Sequence, residues 1–160
     1  MKIYIIITFI LCMACQGKKQ DPGKTKAAVK EVEAVAVIED IICNAEVCLQ
    51  LRNHDTSSQS FEIYMLNSIP VAGFQCDLPG IKITSSDGGL LKENGYQTSN
   101  SAARILSFSM QAQLLPVGEG VLTTVYYSNP TTEVCMTEII FAGIGGSKLT
   151  NDLPACMKLN

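Results

Sequence analysis

The chain contains no tryptophan, a single histidine and few charges: Asp, Glu, Lys and Arg make up 17% of its 160 residues. Each shortage excludes something. Without Trp, any aromatic platform for a sugar must come from tyrosine, and Tyr64, Tyr96, Tyr126 and Tyr127 are the candidates. With one histidine, a Ser-His-Asp triad would have to use His54, which sits in the polar stretch "RNHDTSSQ". Its chain neighbour Asp55 does not supply triad geometry, because triad members are recognised by spatial role and not by adjacency. The mild charge balance, −3 overall and −4 once Lys2 is removed, is neither a nucleic-acid footprint nor an acidic tail. Strands alternating with long helices are missing, which disfavours an α/β fold. "SSDGGL" is glycine-rich but lacks the lysine of a phosphate loop. Glu119, Glu133 and Glu138 read as turn, strand end and outward strand face. No catalytic residue, metal or cofactor is expected.

What the chain does have begins at its N-terminus. Met1 and Lys2 precede an apolar run, Ile3–Met13. That run is too short for a membrane span, which needs about 20 residues, but it suits a signal peptide over residues 1–14. No later run is long and apolar enough to span. In "LCMACQGKK" a small residue, Ala14, directly precedes Cys15. The pattern resembles a bacterial lipobox, in which the cysteine becomes an acylated N-terminus. It departs from the usual spacing, since Leu11 stands one place early. Plain secretion with cleavage after Ala14 or Gly17 is the alternative. Either way the chain is expected to be exported. With acylation it would be a cell-envelope lipoprotein at the outer membrane or cell surface, held by its lipid. Residues 15–45 read as a lipidated N-terminus and a tether, with Lys18, Lys19, Lys24, Lys26 and Lys30 and a Pro-Gly at 22–23. The later part, "KTKAAVKEVEAVAVIED", suits a short helix or an edge strand.

Seven cysteines sort by this organisation. Cys12 leaves with the signal, and Cys15 is the lipid candidate. Export makes disulfides the default for the rest. Cys43 and Cys48 are close enough to clip one short loop, and Cys135 with Cys156 would tie a strand to the C-terminal tail. Spacing alone leaves other pairings open. Metal ligation would need tighter pairs with histidine or more cysteine. Cys76 is the candidate unpaired thiol, read as a small buried hydrophobe with no activating base nearby.

From Glu46 the pattern has period two. Val47, Leu49 and Leu51 share a face, as do Phe61, Ile63 and Met65. In "IPVAGFQCDLPG", Ala72, Phe74, Cys76 and Leu78 fall on one side and are read as inward, with Pro70 and Pro79 as strand punctuation. "SSDGGLLKENG" is a loop or a single helical turn closed by Gly95. In "ARILSFSM", Leu106, Phe108 and Met110 share a face opposite Ser107 and Ser109. "GVLTTVYYS" is rich in strand formers, "EVCMTEIIFAG" reads as one strand, "IGGSKLTND" as a loop and "LPACMKL" as a last short strand. Eight or nine short strands with turn chemistry between them predict an all-β antiparallel β-sandwich of the jelly-roll type over residues 46–160.

Several motifs resemble one domain type. Ala72-Gly73-Phe74-Gln75-Cys76-Asp77, Leu106-Ser107-Phe108-Ser109 and Gly118 to Leu122 are similar to stretches of the cohesin-like β-sandwich domains of exported microbial proteins. Cys76 stands where that pattern usually has Phe, and Ser107 where it usually has Gly. The resemblance implies a non-catalytic binding module, with topology like that of dockerin-binding cohesins and of carbohydrate-binding modules. Its implied partner is a protein or a polysaccharide. No dockerin-type calcium loop occurs in this chain. Alternation nominates Tyr64, Val134, Met136 and Ile140 as a binding face, on the premise that Cys135, Ile139 and Phe141 point inward. The other reading is a structural envelope lipoprotein with no dedicated ligand.

Overall fold

The computed structural model describes residues 42–159. The expected signal peptide, Cys15, the expected tether and the segment expected to be a helix or a strand before Ile42 lie outside the described residues. Those described form an all-β sandwich. The strands are β1 (Val47–Asp55), β2 (Ser60–Asn67), β3 (Gly73–Asp77), β4 (Lys82–Asp87), β5 (Gln97–Asn100), β6 (Arg104–Phe108), β7 (Gly118–Ser128), β8 (Glu133–Val134), β9 (Thr137–Ala142), β10 (Lys148–Leu149), β11 (Asn151–Asp152) and β12 (Met157–Lys158). Four of these, β8, β10, β11 and β12, have two residues each; the other eight carry the architecture. One short helix, α1 (Gly89–Glu93), occupies "GLLKE".

One sheet has the order β11-β1-β2-β7-β4 and the other β10-β9-β3-β6-β5. Every pairing within them is antiparallel except that of β1 with β11. Alternation explains the core. Phe61, Ile63 and Met65 from β2 face Phe74 and Cys76 from β3 and Ile105 from β6, all buried. Phe74 and Phe141 are directly paired across β3 and β9, and their rings stack with centroids 5.0 Å apart.

The two ends of the sandwich differ. At the entry end β1, β3 and β7 begin and β2, β6 and β9 finish. Here the connections 68–72, 109–117 and 143–147 meet. An isolated bridge joins Val71 to Leu115, with N–H to O distances of 3.1 and 2.8 Å. The buried Tyr96 hydroxyl lies 2.7 Å from the Val71 carbonyl and 2.8 Å from that of Gln113, and accepts from Leu115 N–H at 3.2 Å. Burial moves the Tyr96 pKa up, against a smaller opposing contribution from the Leu115 N–H.

Both ends of the described segment are stitched to the body. Cys43 is bridged to Cys48, and Cys135 to Cys156, while Cys76 is free and buried. Residues before β1 grip the C-terminal segment. Glu46 Oε2 accepts from the N–H of Thr150 at 2.7 Å and from its hydroxyl at 3.0 Å, and Asp152 Oδ2 accepts from Asn44 N–H at 3.3 Å. The stretch "IGGSKLTND", read as loop from the sequence, therefore contains β10 and β11, which carry the chain from one sheet to the other.

Candidate binding face

Local phase decides which side chains reach the surface. "EVCMTEIIFAG" is not one uninterrupted strand. Between β3 and β9, Gln75 pairs with Ile140 and Asp77 with Thr137, so β9 carries one more residue than its partner over this interval. The extra residue makes a β-bulge at Glu138, whose φ of 47° is in the left-handed region. The bulge reverses the alternation. Val134 and Met136 thus share the core side with Ile139 and Phe141, and all four are buried. This corrects the sequence expectation for Val134 and Met136, which assumed one unbroken phase. Ile140 does face outward.

Tyr64 also points away from the core, on the other sheet. Its ring is covered by Arg52, whose guanidinium carbon lies 3.8 Å from the centroid. Tyr126 and Tyr127 take opposite faces. Tyr127 is core, and its hydroxyl lies 2.7 Å from His54 Nε2. Asp55 turns to its own loop, accepting from the Ser57 hydroxyl at 2.6 Å and the Ser57 N–H at 2.7 Å. These bonds, led by the Ser57 hydroxyl, hold the Asp55 pKa at about 2. His54 and Asp55 thus serve separate partners and do not form an acid–base pair. Glu133, Cys135 and Cys156 lie close together, but both sulfurs are consumed by the disulfide.

The outer side of the β10-β9-β3-β6-β5 sheet is different in kind. On β6 the inward positions are Ile105 and Ser107, and the outward ones are Arg104, Leu106 and Phe108. Ser107 is fully buried, opposite Phe74, with its hydroxyl 2.9 Å from that of Thr98 and donating to the Gln97 carbonyl at 3.3 Å. The stacked Phe74 and Phe141 fill the adjoining space, so a small residue fits there. Leu106 and Phe108 are consequently placed in water, 41% and 39% exposed, with Ile140 at 42%. Ladder register puts Gln75 between Ile140 and Leu106, and Gly73 between Ala142 and Phe108. Gly73 has no side chain, so this row is shallow beside Phe108.

The face has a charged border. Arg104 Nε and Nη2 donate to the two Asp77 carboxylate oxygens at 2.5 and 2.8 Å. That pairing lowers the Asp77 pKa and raises that of Arg104, to which the Glu138 carboxylate also contributes. Alternation groups Leu106 with Phe108 but does not by itself say which side they occupy. The signal available was Ile105, whose parity opposes theirs.

No family model matches the chain. No curated protein matches it either. Among solved structures it is similar to a chain of the complex between a CaDoc0917 variant and CaCohA2 at pH 5.5. Identity there is 13%, over 69% of this chain and 95% of that one, with a TM-score of 0.49. It is also similar to a non-cellulosomal cohesin from the hyperthermophilic archaeon Archaeoglobus fulgidus, at 10% identity over 69% of this chain and 86% of that one, TM-score 0.46. The sandwich assignment stands on the strand ladders themselves. Among the described residues no helix is long and apolar enough to cross a membrane.

Proposed function

We propose that this chain is an exported binding module, anchored through acylated Cys15, whose outer β9-β3-β6 face receives a protein partner. One observation carries the reading. Strand β6 buries a serine and exposes a leucine and a phenylalanine, the reverse of what folding alone favours. Such an inversion costs stability in the free molecule and is offset when the face is covered. Three partly exposed apolar side chains around Gln75, bordered by the Asp77–Arg104 pair, make the composition of a protein interface: an apolar centre with a polar rim. The sequence resemblance to cohesin-like domains implies a protein or a polysaccharide partner, so the choice between them rests on this face.

A glycan is the weaker choice. Tyr64 is capped by Arg52, and Tyr126 stands on a different sheet from Leu106 and Phe108. The alternative of an envelope protein with no ligand leaves the exposed Leu106 and Phe108 without a role.

The test is photo-crosslinking from position 106 in the native envelope, together with a glycan array. The expected result is one saturable protein adduct that Phe108→Asp abolishes with no loss of thermal stability. A glycan hit that ignores Phe108→Asp, or no adduct at all, overturns the protein reading. Anchoring is tested separately by metabolic labelling with a fatty-acid analogue, where the Cys15→Ala chain should carry no label. Label retained in that variant, or absent from the native protein, would reject the lipid claim.

A further inference from the structure

The two sheets place four strands at their edges, β11 and β4 in one and β10 and β5 in the other. An edge offers N–H and C=O groups to any strand that meets it, and proteins guard edges by shortness, charge, proline or an irregular register. Three of the four are guarded. β10 and β11 have two residues each. β4 begins at Lys82, ends at Asp87 and breaks its register with β7 between Ile83 and Ser85. β5 is Gln97-Thr98-Ser99-Asn100, with no charge and no proline, and it runs in unbroken register along β6.

Residues along an antiparallel edge strand alternate between those whose backbone bonds to the neighbour and those whose backbone points away. The Ser101 N–H donates to the Arg104 carbonyl at 2.8 Å, which fixes the phase. Ser99 and Gln97 then bond to β6, and the backbone groups of Thr98 and Asn100 point to the free edge. Among the described residues these groups have no backbone partner across that edge. Only the Asn100 side chain is engaged, accepting from the Ser86 hydroxyl at 2.8 Å. Beside the edge a cleft of about 150 Å³ opens between β4, β5 and α1. The hydroxyl residues Ser86, Thr98 and Thr123 line it, and the Asp87–Lys92 ion pair, 2.7 Å between charged atoms, stands at its rim. That is room for about five waters.

We infer that β5 is a strand-addition site: an extended segment of the protein partner pairs with the backbone of Thr98 and Asn100 and sets one hydroxyl or amide side chain into the cleft. Peptide groups left open at every second residue are complementary to another peptide backbone, which selects an extended peptide as the occupant. A segment residue opposite Thr98 lies on the same side of the sheet as Thr98, over the cleft. Hydroxyl walls and a rim whose two charges already neutralise each other suit a neutral polar side chain there. The next residues of the segment project on the other side, beside Gln97 and Ser99, which are in register with Phe108 and Leu106. The added strand thus widens the outer β9-β3-β6 face. The inference rests on the reading of that face as protein-binding and adds the mode of binding and the chemistry of the segment.

The probe is a displayed library of random peptides of about ten residues, enough for one strand, selected on the full chain. Selected peptides should share a Ser, Thr, Asn or Gln at one position and slow amide exchange at Thr98 and Asn100 about tenfold or more. N-methylation of such a peptide at alternate residues should weaken binding about tenfold in one phase and not in the other, because only one phase faces β5. Asn100→Pro removes an N–H that the β6 ladder does not use, so it should weaken binding about tenfold with an unchanged melting temperature. The N-methylated peptides make the same test on the native chain. No selected peptide, protection at other amides, no shared polar position, or equal effects of the two N-methylation phases overturns the inference. A peptide that adds to β5 while position 106 gives no adduct upholds the edge site and rejects the protein-binding face. An adduct at position 106 without strand addition does the reverse. A dimer in sedimentation that Asn100→Pro dissociates would assign the edge to a second copy and overturn the partner segment.

Discussion

The Tyr96 hydroxyl sits 2.7 Å from the carbonyl oxygen of Val71, twenty-five positions earlier, and fixes the connection after β2 against the turn that leads into β7. The same oxygen takes the Leu115 N–H. Tyr96→Phe keeps the ring and removes the hydroxyl, leaving buried backbone groups short of a partner. The expected loss is about 1–3 kcal/mol in denaturant unfolding, with an unchanged fold by circular dichroism. A loss below the error of the measurement would mean that water replaces the hydroxyl.

Cys76 lies at the centre of the core with its pKa pushed up to about 12, first by burial and then by the neighbouring Asp77 carboxylate. Thiolate is the reactive form. A thiol reagent at pH 8 should therefore leave the native protein unlabelled and modify one thiol per chain after unfolding in denaturant, for the chain without Cys15. Cys76→Ser puts a hydroxyl in an apolar site and should cost about 1–3 kcal/mol.

The two disulfides should not contribute equally. Cys135 and Cys156 are 21 positions apart, Cys43 and Cys48 only 5. On the chain-entropy account the longer loop is worth about 3 kcal/mol and the shorter about 2. Paired Cys→Ala variants, compared by chemical denaturation, should show that order. The reverse order would indicate that the short bridge also holds the grip of Glu46 on Thr150.

Asp55 has a folded pKa below its ordinary 3.8, so its bonds to Ser57 and Ser58 stabilise the fold at neutral pH. That contribution is lost as pH falls from about 4 towards about 2. Asp77 and Asp87, lowered by Arg104 and Lys92, act in the same direction. Asp55→Ala should be less stable than the native chain near pH 7, and the gap should narrow towards pH 2. A gap that is constant with pH would show that the loop is stabilised by packing and not by the carboxylate.

Much of the fold was legible because its strands alternate cleanly. Phe61, Ile63 and Met65 on β2, and Phe74 and Cys76 on β3, have core positions that follow from period two. The candidate face was less legible for two physical reasons. Period two states which side chains lie together, not which group is buried; Ser107 is inside because Phe74 and Phe141 occupy the room beside it. A bulge also shifts phase by one residue without a sequence mark. Glu138 adopts a positive φ without being glycine, so Val134 and Met136 were assigned to the surface when they belong to the core. The exchange of the C-terminal segment between sheets was hidden as well, since two-residue strands leave no period to detect.

The short bridge between Cys43 and Cys48 has a mechanical consequence. It holds the two Cα atoms 5.6 Å apart, whereas the backbone path through Asn44, Ala45, Glu46 and Val47 reaches roughly 17 Å when drawn straight. A pull on the chain before Ile42 therefore bypasses that loop and enters at Cys48. There β1 is already flanked by β2 on one side and β11 on the other. The load is shared by two ladders, while Glu46 and its bonds to Thr150 remain slack.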